Sequence, residues 1–179
     1  PRHGIFQQLF WSPDGRQLCG TANVNGQDWN IVGIDLDTGK PTLLSRGLNC
    51  TPDWFQRDSQ RVIYSNRTPG LNTEYGWTWL MQATADGKVR TLIYGERGRH
   101  AYYGCTSPDD QYVVFSLPET DGETDAAMSI IRLANSPIVV PPDYQELMAL
   151  YPESKNGPVF RLPFTGFEPH WTYADVLGP

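Results

Sequence analysis

A turn sequence that returns three times along the chain constrains its fold more than any other feature. Trp11-Ser-Pro-Asp-Gly15 precedes a β-rich run that ends at Asp35-Leu-Asp-Thr-Gly39. Degraded copies follow at Pro52-Asp-Trp-Phe55 with Ala85-Asp-Gly87, and at Thr106-Ser-Pro-Asp-Asp110, with a last trace at Pro169-His-Trp-Thr172. Repeats at this spacing are units that cannot bury their apolar faces singly, so neighbours must stack to make a core. From Trp11 to Trp54 is 43 residues, from Trp54 to Thr106 is 52, and from Thr106 to Trp171 is 65. The growth lies in loops, where insertions are tolerated.

The strand pattern gives the unit. Ile5 to Trp11 reads as a strand ending in a turn where Pro13 presets φ and Gly15 accepts a positive one. Gln17 to Ala22, Trp29 to Leu36 and Pro41 to Leu44 complete four antiparallel strands in about 40 residues, the size of one propeller blade. Asn49 to Phe55, Arg61 to Ser65, Tyr75 to Ala83 and Val89 to Tyr94 form a second unit. Tyr102 to Thr106, Tyr112 to Leu117 and Ala126 to Leu133 begin a third, whose outer strand, Pro158 to Pro163, is delayed by an insertion at 135–156. Inside it, Pro142 to Leu150 is expected to form a short helix, with Pro in the first turn and Asp143 and Glu146 suiting the dipole. The expectation is an all-β, single partial β-propeller domain over 1–179. Its blades span about 5–45, 49–94 and 102–164, and a fourth starts at 166–172.

The Trp-Ser-Pro-Asp-Gly corner, the apolar strand after it and the Asp-Leu-Asp-Thr-Gly hairpin resemble the TolB-type β-propeller repeat, and also the propeller parts of prolyl oligopeptidase-like proteins. Residues 8–45 carry the full pattern. Residues 49–94 keep Trp54 but put Gln56-Arg57-Asp58 in place of Pro-Asp-Gly, and residues 102–117 keep Ser107-Pro108-Asp109 but have Thr106 for Trp. The resemblance implies a propeller of six or seven blades, about half of which is present. Three blades leave two radial faces open, so further sequence or another chain is expected to cover them, since a propeller closes with roughly four to eight. Residues 1–179 alone are expected to aggregate or stay partly unfolded.

Composition excludes several classes of function. The net charge is −6 with no Lys/Arg block, which argues against nucleic acid. No run of 18 apolar residues exists to span a membrane. Cys19, Cys50 and Cys105 form no C-x-x-C pair and read as small buried hydrophobes. No Gly-x-Ser-x-Gly nucleophile turn or Gly-rich phosphate loop is present. Asn49-Cys-Thr51 and Asn66-Arg-Thr68 fit the glycosylation sequon, which matters only in a eukaryotic secretory setting. The chain opens at Pro1 without Met, as expected of a mature form or a piece of something longer.

Four groups of residues are candidates for function. One propeller rim would carry residues 23–27, 67–74, 95–100 and 118–125, where Arg97, Arg99 and His100 mix with Glu119, Asp121, Glu123 and Asp125 as a docking surface for a protein. The alternating oxygens at 119, 121, 123 and 125 could hold calcium, but their spacing is not that of an EF-hand. Phe10, Asp53, Cys105 and His170 each precede a corner; if they face the channel, the last three could converge on a metal or small ligand. Tyr75, Trp77 and Trp79 alternate on one face, as packing between blades or as a sugar-stacking platform. No metal or cofactor is expected. The reading is a non-catalytic, periplasmic or secreted propeller scaffold that binds protein as an accessory subunit. The alternative is a fragment of a propeller lyase or hydrolase acting on carbohydrate or peptide.

Overall fold

Each corner closes on hydrogen bonds that its own residues supply. The computed structural model describes residues 5–23, 29–67, 77–96, 98–119, 123, 125–133, 138–139, 154–155 and 158–171. In the first corner Ser12 Oγ donates to Asp14 Oδ1 at 2.6 Å and accepts the Gln17 amide at 2.9 Å. Gly15 takes a φ of 71°, in the left-handed region that lacks a penalty only for glycine. The third corner repeats this, with Ser107 Oγ donating to Asp109 at 2.5 Å and accepting the Tyr112 amide at 3.0 Å. These hydroxyl bonds hold the Asp14 and Asp109 carboxyls below the usual range. In the second corner Phe55 stands where Ser12 and Ser107 do. There Asp58 accepts the Gln60 amide at 2.8 Å and the Arg61 guanidinium at 2.6 Å, and Arg61 lies 4.0 Å over the Phe55 ring.

Three antiparallel sheets follow from these corners. The first has the order β1 (Ile5–Trp11), β2 (Gln17–Asn23), β3 (Asn30–Asp35), β4 (Pro41–Ser45). The second runs β5 (Asn49–Trp54), β6 (Arg61–Asn66), β7 (Trp79–Thr84), β8 (Arg90–Gly95). The third joins β9 (Tyr102–Thr106), β10 (Tyr112–Ser116) and β11 (Ala126–Arg132) to β14 (Val159–Gly166). This is the incomplete propeller expected from the repeats. Two short strands of the insertion, β12 (Ile138–Val139) and β13 (Ser154–Lys155), pair with β8 and extend the second sheet at its outer edge. The insertion leaves the third blade and caps the exposed edge of the second, which removes a template for unwanted pairing. The helix expected at Pro142 to Leu150 lies outside the described residues, among which there is no helix. No helix there is long and apolar enough to cross a membrane.

The middle sheet is buried on both faces. Val62, Tyr64, Trp79, Met81 and Leu92 meet Cys19, Ile31 and Leu44 of the first sheet, while Ile63, Leu80 and Tyr94 meet Val113, Phe115 and Ile131 of the third. That explains the unbroken apolar run in β6, where alternation would suit a half-exposed sheet. Trp77 and Trp79 pack edge to face within the first of these interfaces, so they are blade packing and not a sugar platform; Tyr75 lies outside the described residues. Cys19 and Cys105 are buried and none of the three cysteines is paired in a disulfide.

An indole hydrogen bond locks the first two sheets together. Trp54 is 2 % exposed and its Nε1 donates to the Phe10 carbonyl at 3.0 Å. Trp171 does the same to the Cys105 carbonyl at 3.0 Å, so it sits on the third sheet as the first residue of a fourth unit would. Between the second and third sheets Thr106 replaces the indole. Asp110 compensates by accepting the amides of Gln56 and Arg57 at 2.8 and 3.0 Å.

Truncating the indole at Trp54 should therefore cost about 3–5 kcal/mol in urea unfolding, the range for a large buried aromatic. Trp54→Phe keeps most of the buried area and should lose about 1 kcal/mol for the missing donor plus a smaller packing term. Unchanged unfolding midpoints in both variants would show that the sheets are not held together at this point.

Candidate functional site

The innermost strands do not run straight. Gln8, Thr51, Tyr103 and Glu168 have φ between 49° and 56°, and each stands three residues before Trp11, Trp54, Thr106 or Trp171. The first three lie where the ladders lose register, between Gln7 and Phe10, between Cys50 and Asp53, and opposite Val114 to Ser116. A bulge bends a strand and re-aims the side chains that follow. A non-glycine residue in this region costs of order 1–3 kcal/mol and persists only where neighbours hold it. Here the neighbours form a thread from blade to blade. Gln8 Oε1 accepts the Thr51 amide at 2.9 Å and the Thr21 hydroxyl at 3.0 Å, and Thr51 Oγ1 accepts the Tyr103 amide at 3.3 Å while donating to Ser65 at 2.8 Å. Burial raises the Tyr103 phenol pKa, and the nearby Glu168 carboxylate adds to the rise.

Two residues beyond each bulge, Phe10, Asp53, Cys105 and His170 line one cavity of about 90 Å³. The column read from the sequence thus converges, although no metal site was expected there. A carboxylate oxygen of Asp53, Cys105 Sγ and a ring nitrogen of His170 all lie within 4.8 Å of one another. Among the described residues no other three His, Cys, Asp or Glu side chains are drawn together in this way. Phe10 is the departure, an apolar wall where the first blade supplies no donor.

The electrostatics of the cluster are set by the burial of Asp53 and Cys105 beside an exposed His170. Burial pushes the Asp53 carboxyl up to about 6, although it accepts the Trp54 amide at 2.8 Å and faces His170. Burial also raises the Cys105 thiol to about 11, and the nearby Asp53 carboxylate adds to the rise. A thiol held protonated in this way is a poor nucleophile. Cys105 Sγ donates to the Thr106 carbonyl at 3.7 Å, an acceptor that cannot act as the base a nucleophilic cysteine needs.

The rim residues are only partly gathered. Arg99 pairs with Glu119 at 2.5 Å, and the Glu119 amide donates to the Glu123 carboxylate at 3.2 Å. Asp125 is bonded instead to the Thr165 hydroxyl on β14. His100 is buried beneath the rim, with Nδ1 3.0 Å from the Thr78 hydroxyl and its ring stacked on Tyr102. Arg97, Asp121 and most of the loops at 23–27 and 67–74 lie outside the described residues. Sequence reasoning found the axial column but not the bulge residues beside it. Their signal was the fixed spacing of three to each corner.

Asp53 makes stability depend on pH in a known direction. A carboxyl whose folded pKa lies above its unfolded value stabilises the fold below the unfolded pKa, and that contribution is lost as pH rises through the folded one. In EDTA-treated protein, wild type should lose about 2–3 kcal/mol relative to Asp53→Asn between pH 4 and 7. Urea midpoints of the two proteins at each end of the window measure this, and a constant difference would contradict it.

Comparison with known proteins follows the fold. No family model and no curated protein sequence matches the chain. Among solved structures it is similar to a TolB-assigned protein from Agrobacterium tumefaciens, with 19 % identity, a TM-score of 0.65, and cover of 93 % of this chain and 52 % of that one. It is also similar to the tricorn protease (15 %, TM-score 0.60, 90 % and 17 %) and to an oligogalacturonate lyase in complex with manganese (15 %, TM-score 0.55, 74 % and 40 %). The chain spans about half the length of the TolB-assigned protein. At these identities the likeness is one of fold, and the fold is that of an unclosed segment of a TolB-type β-propeller.

Proposed function

We propose that this chain is the protein-binding, non-catalytic part of an extracytoplasmic TolB-like propeller, acting as an accessory subunit of a larger assembly. One observation carries the reading. The outer face of the first sheet is apolar and uncovered. The register places Phe6, the pair Trp11 and Leu18, and the pair Val32 and Leu43 on the side away from Cys19 and Ile31, where Trp11 and Leu43 are exposed. Trp11 on that face is 64 % exposed, whereas its counterpart Trp54 is 2 % exposed. The opposite end is similar, with Phe160 and Phe164 exposed on the third sheet. Uncovered apolar sheet faces of this kind mark sites of protein association. The occupant that fits is a further four-stranded blade, because Trp171 already begins one on the third sheet with the hydrogen bond that Trp54 uses.

With both faces covered, the surface left for a partner protein is the rim. Arg99, Glu119, Glu123 and Asp125 would contact it there, together with Arg97 and Asp121 of the same loops, while His100 supports the rim from below. A second reading, catalysis on carbohydrate or peptide, has the axial cluster in its favour and the lyase and protease propellers among its structural neighbours.

Photo-crosslinking residues placed one at a time in the native protein separate the two. Probes at Leu9 and Leu43 should capture blade sequence, and probes at Glu119 and Glu123 should capture a separate polypeptide, with Arg99→Glu reducing the rim capture. In the native assembly Trp11→Ala should then destabilise about as much as a buried aromatic, by about 3–5 kcal/mol. Empty rim probes together with turnover of oligogalacturonate or peptide by the native protein would replace this reading with the enzymatic one.

A further inference from the structure

The geometry points to a zinc site in the axial cavity, formed by the Asp53 carboxylate, the Cys105 thiolate and the His170 imidazole. Asp53 and Cys105 come from β5 and β9, the innermost strands of the second and third sheets, and His170 from the segment just before Trp171; each stands two residues after a residue of positive φ. They share the cavity of about 90 Å³, enough for an ion and a bound water. A tetrahedral zinc with Zn–S near 2.3 Å and Zn–N near 2.0 Å sets its donors roughly 3.3–3.8 Å apart. The observed spread of up to 4.8 Å closes to that with side-chain rotation of about 1 Å.

The donor chemistry selects the metal. Calcium and magnesium take oxygen ligands, and only one donor here is oxygen. A thiolate with an imidazole and a carboxylate is the mixed soft and borderline set that zinc accepts. Phe10 occupies the equivalent position of the first blade and offers no ligand, so the fourth position stays with water. His170 is exposed and gives the ion its way in. On binding, the Cys105 S–H bond is exchanged for a Zn–S bond and the thiol proton passes to solvent, one per zinc.

Cobalt substitution in the native protein tests this. After chelation and buffer exchange, Co²⁺ should bind at one equivalent per chain with a sulfur-to-cobalt charge-transfer absorption, and one equivalent of Zn²⁺ should abolish it. Cys105→Ser should remove the absorption, and His170→Ala should weaken Co²⁺ and Zn²⁺ by at least about tenfold. Cys50→Ser should leave both unchanged. His170 is exposed, so its variant is informative even if the buried Cys105→Ser does not fold, which circular dichroism would reveal. No charge-transfer band in wild type, or a band that survives His170→Ala at full affinity, overturns the assignment. Because the readout is metal binding alone, its failure would leave the scaffold reading standing, and failure of the crosslinking would leave the zinc site standing.

Discussion

Everything in this molecule depends on how one four-stranded sheet is held at a fixed angle on the next. A sheet of about 40 residues has two faces and cannot bury both, and apolar burial alone is not directional. Direction comes from two hydrogen-bonded threads. Near the corners, the indoles of Trp54 and Trp171 reach back to the carbonyls of Phe10 and Cys105. Near the axis, Gln8 accepts the Thr51 amide and Thr51 accepts the Tyr103 amide. With both threads made, the sheets can neither slide nor rotate without orphaning buried polar groups, which is costlier than the bonds are favourable.

The axial thread links architecture to chemistry. The bulges it restrains turn the chain so that the residue before each corner faces the cavity. Since every blade uses the same device, whatever stands at that position is presented to a common point. A repeat fold is thereby a frame in which single substitutions, Phe10 to Asp53 to Cys105 to His170, change a wall into a donor without disturbing the packing behind it. The outer thread carries the corresponding tolerance. Where Thr106 takes the place of tryptophan, Asp110 supplies a carboxylate to the neighbouring amides and the stack continues.

The two open ends both expose aromatic side chains but differ at the corner position. The third sheet already carries Trp171 on its face, while the first presents Trp11 with nothing described against it. A second copy docking its Trp11 onto the third sheet would meet Trp171 in the slot it needs.

The sequence by itself determined the unit. The corner motif, its Ser–Asp hydrogen bonds and the strand order within a blade all rest on local chemistry, which near neighbours in the chain decide. The axial column was legible too, because it keeps a fixed offset from each corner. Only the tertiary structure decided that Asp53, Cys105 and His170 meet, since that depends on the angle between sheets and on left-handed backbone at Gln8, Thr51, Tyr103 and Glu168 that no glycine announces. It also decided that His100 is buried, that Glu119 is engaged by Arg99, and that the insertion pairs with β8 instead of staying with its own blade. Each of these follows from contacts between residues distant in the chain, whose energies are set by which faces remain open once the sheets have stacked.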